Sequence, residues 1–164
     1  MVNETIQTGF LQKANVENSI WYNGHRFSFL LDAEQTAGTF SLMDCYFRKG
    51  GEPPAHFHKH EDETFHILEG EIRFHIGDKT FVAKTGETVF VPRGIPHQFT
   101  LMTDTAKALM MISPSGMETF FREYSVPAQS MDLPPLPEGH PPAEFFENMM
   151  KRAEELGMVW MPEF

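Results

Sequence analysis

A chain of 164 residues fits one domain and is long enough to bury an apolar core without staples. With 41% hydrophobic and 22% charged residues its composition is that of a folded globular protein, which excludes disorder throughout. The formal charge of −10, without a Lys/Arg cluster, argues against nucleic acid and anionic membranes as partners and says little against a small-molecule ligand.

Residues 1–19 lack both a charged start and an apolar run, so they are expected to be an N-terminal arm and not a signal peptide. No 18-residue apolar run predicts a membrane span, and a cytoplasmic location is expected. Asn23-Gly24 is a hairpin signal ahead of a strand over 26–31. Further strands are expected over 39–47, 63–70, 71–77, 79–84, 87–92, 97–102 and 106–112. Residues 71–77 carry the period of two, with Ile72, Phe74 and Ile76 alternating with Arg73 and His75. Short strands punctuated by Gly, Pro and Asp, with no helical period, predict an all-β sandwich or barrel over 20–113 and helices only after 115. The lone cysteine, Cys45, allows no intrachain disulfide and reads as a buried, inert thiol.

Residues 114–164 form an extension of different character. Residues 117–125 read as a short helix, and 126–142 hold six of the chain's 12 prolines, which predicts an extended arm over the surface. A helix over 143–156 places Phe145, Phe146, Met149, Met150, Ala153 and Leu156 on one stripe, with Gly157 as its stop. That stripe must dock on the barrel or on a second subunit. Its Phe and Met content favours a homodimer. The 11 methionines sit in apolar segments and read as packing, not as a copper site.

The histidines carry the chemistry. His56, His58 and His60 alternate, so on extended chain they point to one side. Glu63 has the wrong parity to join them unless the chain turns over 59–62, and a fourth ligand must come from elsewhere, with His97 after a Pro-Gly-Pro turn as the candidate. His60 belongs on the turn, His66 points away, His75 is a surface or subunit-contact residue, and His25 and His140 read as exposed.

The pattern resembles the two motifs of the cupin superfamily. The first is matched by Gly50, His56, His58, Glu63 and Gly70, and the second by Gly86, Pro92, Gly94 and His97, with Leu101 where the family has Asn. The resemblance implies a double-stranded β-helix, or jelly-roll, barrel with C-terminal helices. It also implies one divalent transition metal (Fe, Mn, Ni, Cu, Co or Zn) on His56, His58, Glu63 and His97. Phe65, Ile67, Phe90 and Phe99 are candidates to line the cavity around it. Residues 50–74, with 91–99 and 117–127, are similar to single-domain cupins of the quercetin 2,3-dioxygenase type. That likeness implies a dioxygenase acting on a small chelating phenolic, with Glu63 as both ligand and catalytic general base. The alternatives are a non-redox cupin enzyme, such as an isomerase, and a non-catalytic ligand-binding cupin.

Overall fold

The computed structural model describes residues 8–135 and 142–161. Twelve strands form two antiparallel sheets among them. The first sheet contains β1 (Ser19–Tyr22), β2 (His25–Leu31), β3 (Ser41–Arg48), β5 (Asp62–Glu69), β8 (Thr88–Val91), β10 (Thr105–Ser113) and β11 (Val126–Pro127). Its order is β11-β1-β2-β3-β10-β5-β8. The second contains β4 (His56–His58), β6 (Glu71–Ile76), β7 (Lys79–Lys84), β9 (His97–Leu101) and β12 (Met158–Trp160), in the order β12-β4-β9-β6-β7.

Alternation decides what each strand puts inside. β3 turns Ser41, Met43, Cys45 and Phe47 inward, and β10 turns in Ala106, Ala108, Met110 and Ile112. Phe74 and Ile72 from β6 and Leu101 from β9 close the far end of the core. Cys45 is fully buried, and burial holds its thiol protonated. Both central residues of the β1–β2 turn, Asn23 and Gly24, have positive φ (46° and 82°), the twist that a two-residue hairpin needs.

Two expectations need correction. The span 20–113 is not free of helix: Ala33–Thr36 is one helical turn, α1, capped reciprocally by Asp32 and Gln35. The barrel is also incomplete without the extension, because residues 126–127 add an edge strand to the first sheet and residues 158–160 add one to the second. Neither short strand has enough residues to show a period.

Within the extension, α2 (Glu118–Glu123) and α3 (Ala143–Glu155) match the expected helices, and Gly157, with φ of 95°, ends the second. The proline arm crosses the first sheet as far as residue 135. Trp21 Nε1 donates to Asp132 O, Arg26 to Met131 O and Arg48 to Pro134 O. His140 lies outside the described residues. No described helix is long and apolar enough to cross a membrane.

Candidate metal centre

β4 is the strand on which the site is built. Its burial alternates so that His56 and His58 face inward and Phe57 does not. On one side His56 is in register with His97 of β9, and on the other with Trp160 of β12. The turn over 59–61 restores parity for Glu63, the first inward residue of β5. Glu63 pairs with Ile112 and Val91 in the first sheet. Three imidazoles from one sheet thus face one carboxylate from the other. All four residues are buried, and one ligand atom from each lies within 4.8 Å of the others.

The hydrogen bonds fix which nitrogen each ring presents. His56 Nδ1 donates to Pro54 O (2.8 Å) and His97 Nδ1 donates to Ile95 O (3.0 Å), leaving both Nε2 lone pairs for the centre. His97 Nε2 stands 3.0 Å from Glu63 Oε2, and His58 Nε2 stands 3.6 Å from Glu63 Oε1. Nε2 of His58 is buried without a hydrogen-bond partner, and Nε2 of His97 has the Glu63 carboxylate as its neighbour. Buried nitrogens of that kind are costly unless something coordinates them. Together with a three-imidazole, one-carboxylate donor set they fit a divalent transition ion.

The electrostatics suit ligation. Burial drives the His56 imidazole down to about 4, aided by the neighbouring His97, so it is neutral at pH 7. Burial alone would raise Glu63, but the surrounding imidazoles outweigh it and hold the carboxyl at about 2. His97 is lowered by burial and raised more by its contact with Glu63, so its net shift is upward.

The centre sits in the wall of a cavity of about 780 Å³ lined mainly by aromatic and Met side chains. Phe65 and Phe99 are among the residues that line it. Phe90 is not: β8 turns Val89 and Val91 inward, which leaves Phe90 on the outer face, 58% exposed. Ile67 shares Phe65's face but is fully buried in the packed core and is not among the lining residues. His25, expected in solvent, is 2% exposed. Its Nε2 donates to Gly51 O (2.7 Å) and its Nδ1 accepts from Arg48 N (3.1 Å), which makes it a neutral clamp between the first hairpin and the loop leading into β4. His60 is exposed, and His66 points away to bond Thr88 Oγ1.

Sequence reading missed the cavity's other walls. The apolar stripe of α3 faces it through Phe145, Phe146, Met149 and Met150, opposite Phe120 and Tyr124 at α2. Arg152 forks onto the Glu123 carboxylate (2.7 and 2.9 Å) and Tyr124 Oη donates to Asn148 O, tying the two helices together. The stripe that the sequence left between barrel and partner therefore covers the cavity within its own chain. The indole of Trp160, 5.5 Å from the His56 ring, completes the wall beside the centre.

Comparison with known proteins follows the same lines. Residues 43–113 match the family described as the Cupin domain. The chain is similar to quercetin 2,3-dioxygenase of Bacillus subtilis (strain 168), with 25% identity over 128 residues covering 78% of this chain and 37% of that protein. It thus spans little over a third of that relative's length. Among solved structures it is similar to a predicted oxalate decarboxylase from Thermotoga maritima (TM-score 0.58, 20% identity, 64% of this chain and 99% of the other). A second is an RmlC-like cupin from Shewanella frigidimarina NCIMB 400 (TM-score 0.56, 19% identity, 70% and 99%). At these identities the two structures speak for the fold alone.

Proposed function

From the premise that residues 43–113 are a cupin domain, we propose that the chain is a metal-dependent dioxygenase acting on a small, chelating, flavonol-like phenolic. The observation that carries the reading is the opening of a His56–His58–Glu63–His97 centre onto an aromatic-lined cavity of about 780 Å³, large enough for a drug-sized ring system. The similarity to a quercetin 2,3-dioxygenase supports it.

A divalent ion held by these four residues would supply Lewis acidity and, if redox-active, a centre at which dioxygen can react. The chain's own residues do the rest. Phe65, Phe99 and the α3 stripe take the planar rings and exclude water. Glu63 is kept ionised, so it is ready to accept a proton. With so low a proton affinity it serves as a base only toward a hydroxyl already made acidic, as a chelated phenolic or enolic hydroxyl is. A substrate without a chelating hydroxyl would find no competent base here.

The test is metal analysis of purified protein followed by oxygen-electrode screening of flavonols and catechols. Oxygen uptake proportional to bound redox-active metal is expected. Glu63→Gln, refilled with metal, should remain about 10²–10⁴-fold slow. Turnover restored by refilling alone would remove Glu63 from the base role. Zn or Mn occupancy without oxygen uptake would favour the non-redox enzyme, and tight ligand binding without turnover the binding protein. A homodimer and a cytoplasmic setting complete the proposal. Exposed Phe81, Val82 and Phe90 on the edge strands β7 and β8 offer one apolar surface for a partner copy, and the half-exposed Phe145, Phe146 and Met150 of α3 offer another.

A further inference from the structure

The three imidazoles of the centre are not held alike. His56 and His97 each give their Nδ1 proton to a backbone carbonyl two residues earlier. His58 has no such tether: it is 2% exposed and neither of its ring nitrogens has a hydrogen-bond partner. Its Nε2 faces Glu63, and its Nδ1 faces a second carboxylate, Glu61 Oε2, at 3.8 Å. That oxygen is itself buried and without a partner.

We propose that Glu61 is the outer partner of His58, accepting its Nδ1–H when Nε2 serves as a metal ligand. The proposal rests on the metal-centre reading above. A neutral imidazole that ligates through Nε2 must carry its proton on Nδ1, and in a buried site that proton needs an acceptor. Glu61 Oε2 is the unpaired acceptor on that side. A shift of about 1 Å in the ring or the carboxylate brings the pair into hydrogen-bond range. The turn over 59–61 does not itself require an acid, and a buried carboxylate oxygen with no donor is unfavourable unless its charge is used. A carboxylate accepts more strongly than a backbone carbonyl of the kind that serves His56 and His97, so Glu61 would strengthen His58 as a metal donor. Glu61 is thus a positioning residue: it sets tautomer and donor strength without touching the ion.

The experiment is Co²⁺ titration of the metal-free full chain, following visible absorption against a competing chelator, alongside thermal unfolding of the same metal-free proteins. Wild type is expected to bind one Co²⁺ per chain. Glu61→Gln and Glu61→Ala should bind it about 10–100-fold more weakly, with Ala the weaker, and with a shifted Co²⁺ spectrum. Their metal-free forms should melt at or above the wild-type temperature, because an unpartnered buried carboxylate has been removed. A merely structural role predicts the opposite: a lower melting temperature and unchanged affinity. Wild-type affinity and spectrum in both variants, or an affinity loss that tracks lost stability, would overturn the proposal while leaving the centre intact. Failure of wild type to bind Co²⁺ would instead overturn the metal-centre reading, and this one with it.

Discussion

A single methyl group at Gly51 tests how the loop ahead of β4 is held. A Cβ there would stand 2.6 Å from Asn23 O, 2.8 Å from His25 Cε1 and 2.9 Å from His25 Nε2. One obstacle is backbone and the other a ring locked at both nitrogens, so neither can yield cheaply. The loop must move, and Gly51 O then leaves both His25 Nε2 (2.7 Å) and Asn23 Nδ2 (2.9 Å). Each hydrogen bond contributes about 1 kcal/mol, and overpacking costs about 1–3 kcal/mol more. Gly51→Ala should therefore destabilise the fold by about 3–5 kcal/mol. For a chain of this size that is a fall in melting temperature of about 6–20 °C. Calorimetry of the metal-free protein measures it. Metal affinity should fall too, since His56 lies on the strand that the loop delivers. A melting temperature within about 2 °C of wild type would show that the loop repacks freely and that His25 clamps nothing.

His97→Ala should lose most bound metal, because the remaining ligands no longer close the centre from β9, whereas His60→Ala should keep wild-type occupancy; mass-spectrometric metal content decides both. The metal-free protein should be most stable near pH 6.5, the ordinary His value. Below it, stability is lost toward about pH 4 as the buried, lowered His56 is forced to protonate, with lowered His25 adding to the loss. Above it, stability is lost as His97, raised by Glu63, gives up the proton of that ion pair, and metal loading should abolish this alkaline loss while apparent metal affinity climbs over the same range. Phe146→Ala should leave stability nearly unchanged, since the residue is 40% exposed, and weaken binding of an aromatic ligand about fivefold by titration calorimetry, from roughly 1 kcal/mol of lost burial. Light scattering at micromolar concentration should return twice the 18.8 kDa chain mass, and a monomer would contradict the dimer.

What was legible in the sequence was whatever repeats or sits at fixed spacing. Period-two stretches such as Ile72-Arg73-Phe74-His75 and turn pairs such as Asn23-Gly24 marked strands within a residue or two of their observed ends. His56, His58 and Glu63 could be named because their alternation and the turn before Glu63 are local facts, and His97 because its Pro-Gly-Pro turn and the second motif stand at fixed spacing. The misses share a cause: each depends on a partner far along the chain. His25 looks like a turn residue until the Gly51 carbonyl arrives 26 residues later. Phe90 looked like a pocket residue because apolar identity in a run of apolar residues does not reveal which face is inward, and only the register Glu63↔Val91 fixes that. The strand 158–160 has no signal of its own: it exists because β4 offers a free edge to it. Glu61 went unremarked because an acid on a turn is ordinarily solvated, and nothing local announces that this one is buried against His58.

The strap formed by α3 and β12 has a kinetic consequence. β12 reaches β4 across one hundred positions, from Met158 to His58, and is joined to it by a few backbone bonds, with Lys59 N to Gly157 O and Met161 N to Ala55 O at its ends. The barrel strands behind it are laced by long, continuous ladders. Contacts of such sequence separation close late in folding, and short ladders open before long ones. Amide exchange should therefore divide the chain into a slow barrel and a fast strap, which makes the wall that Trp160 and α3 supply to the cavity the part of it that opens most often.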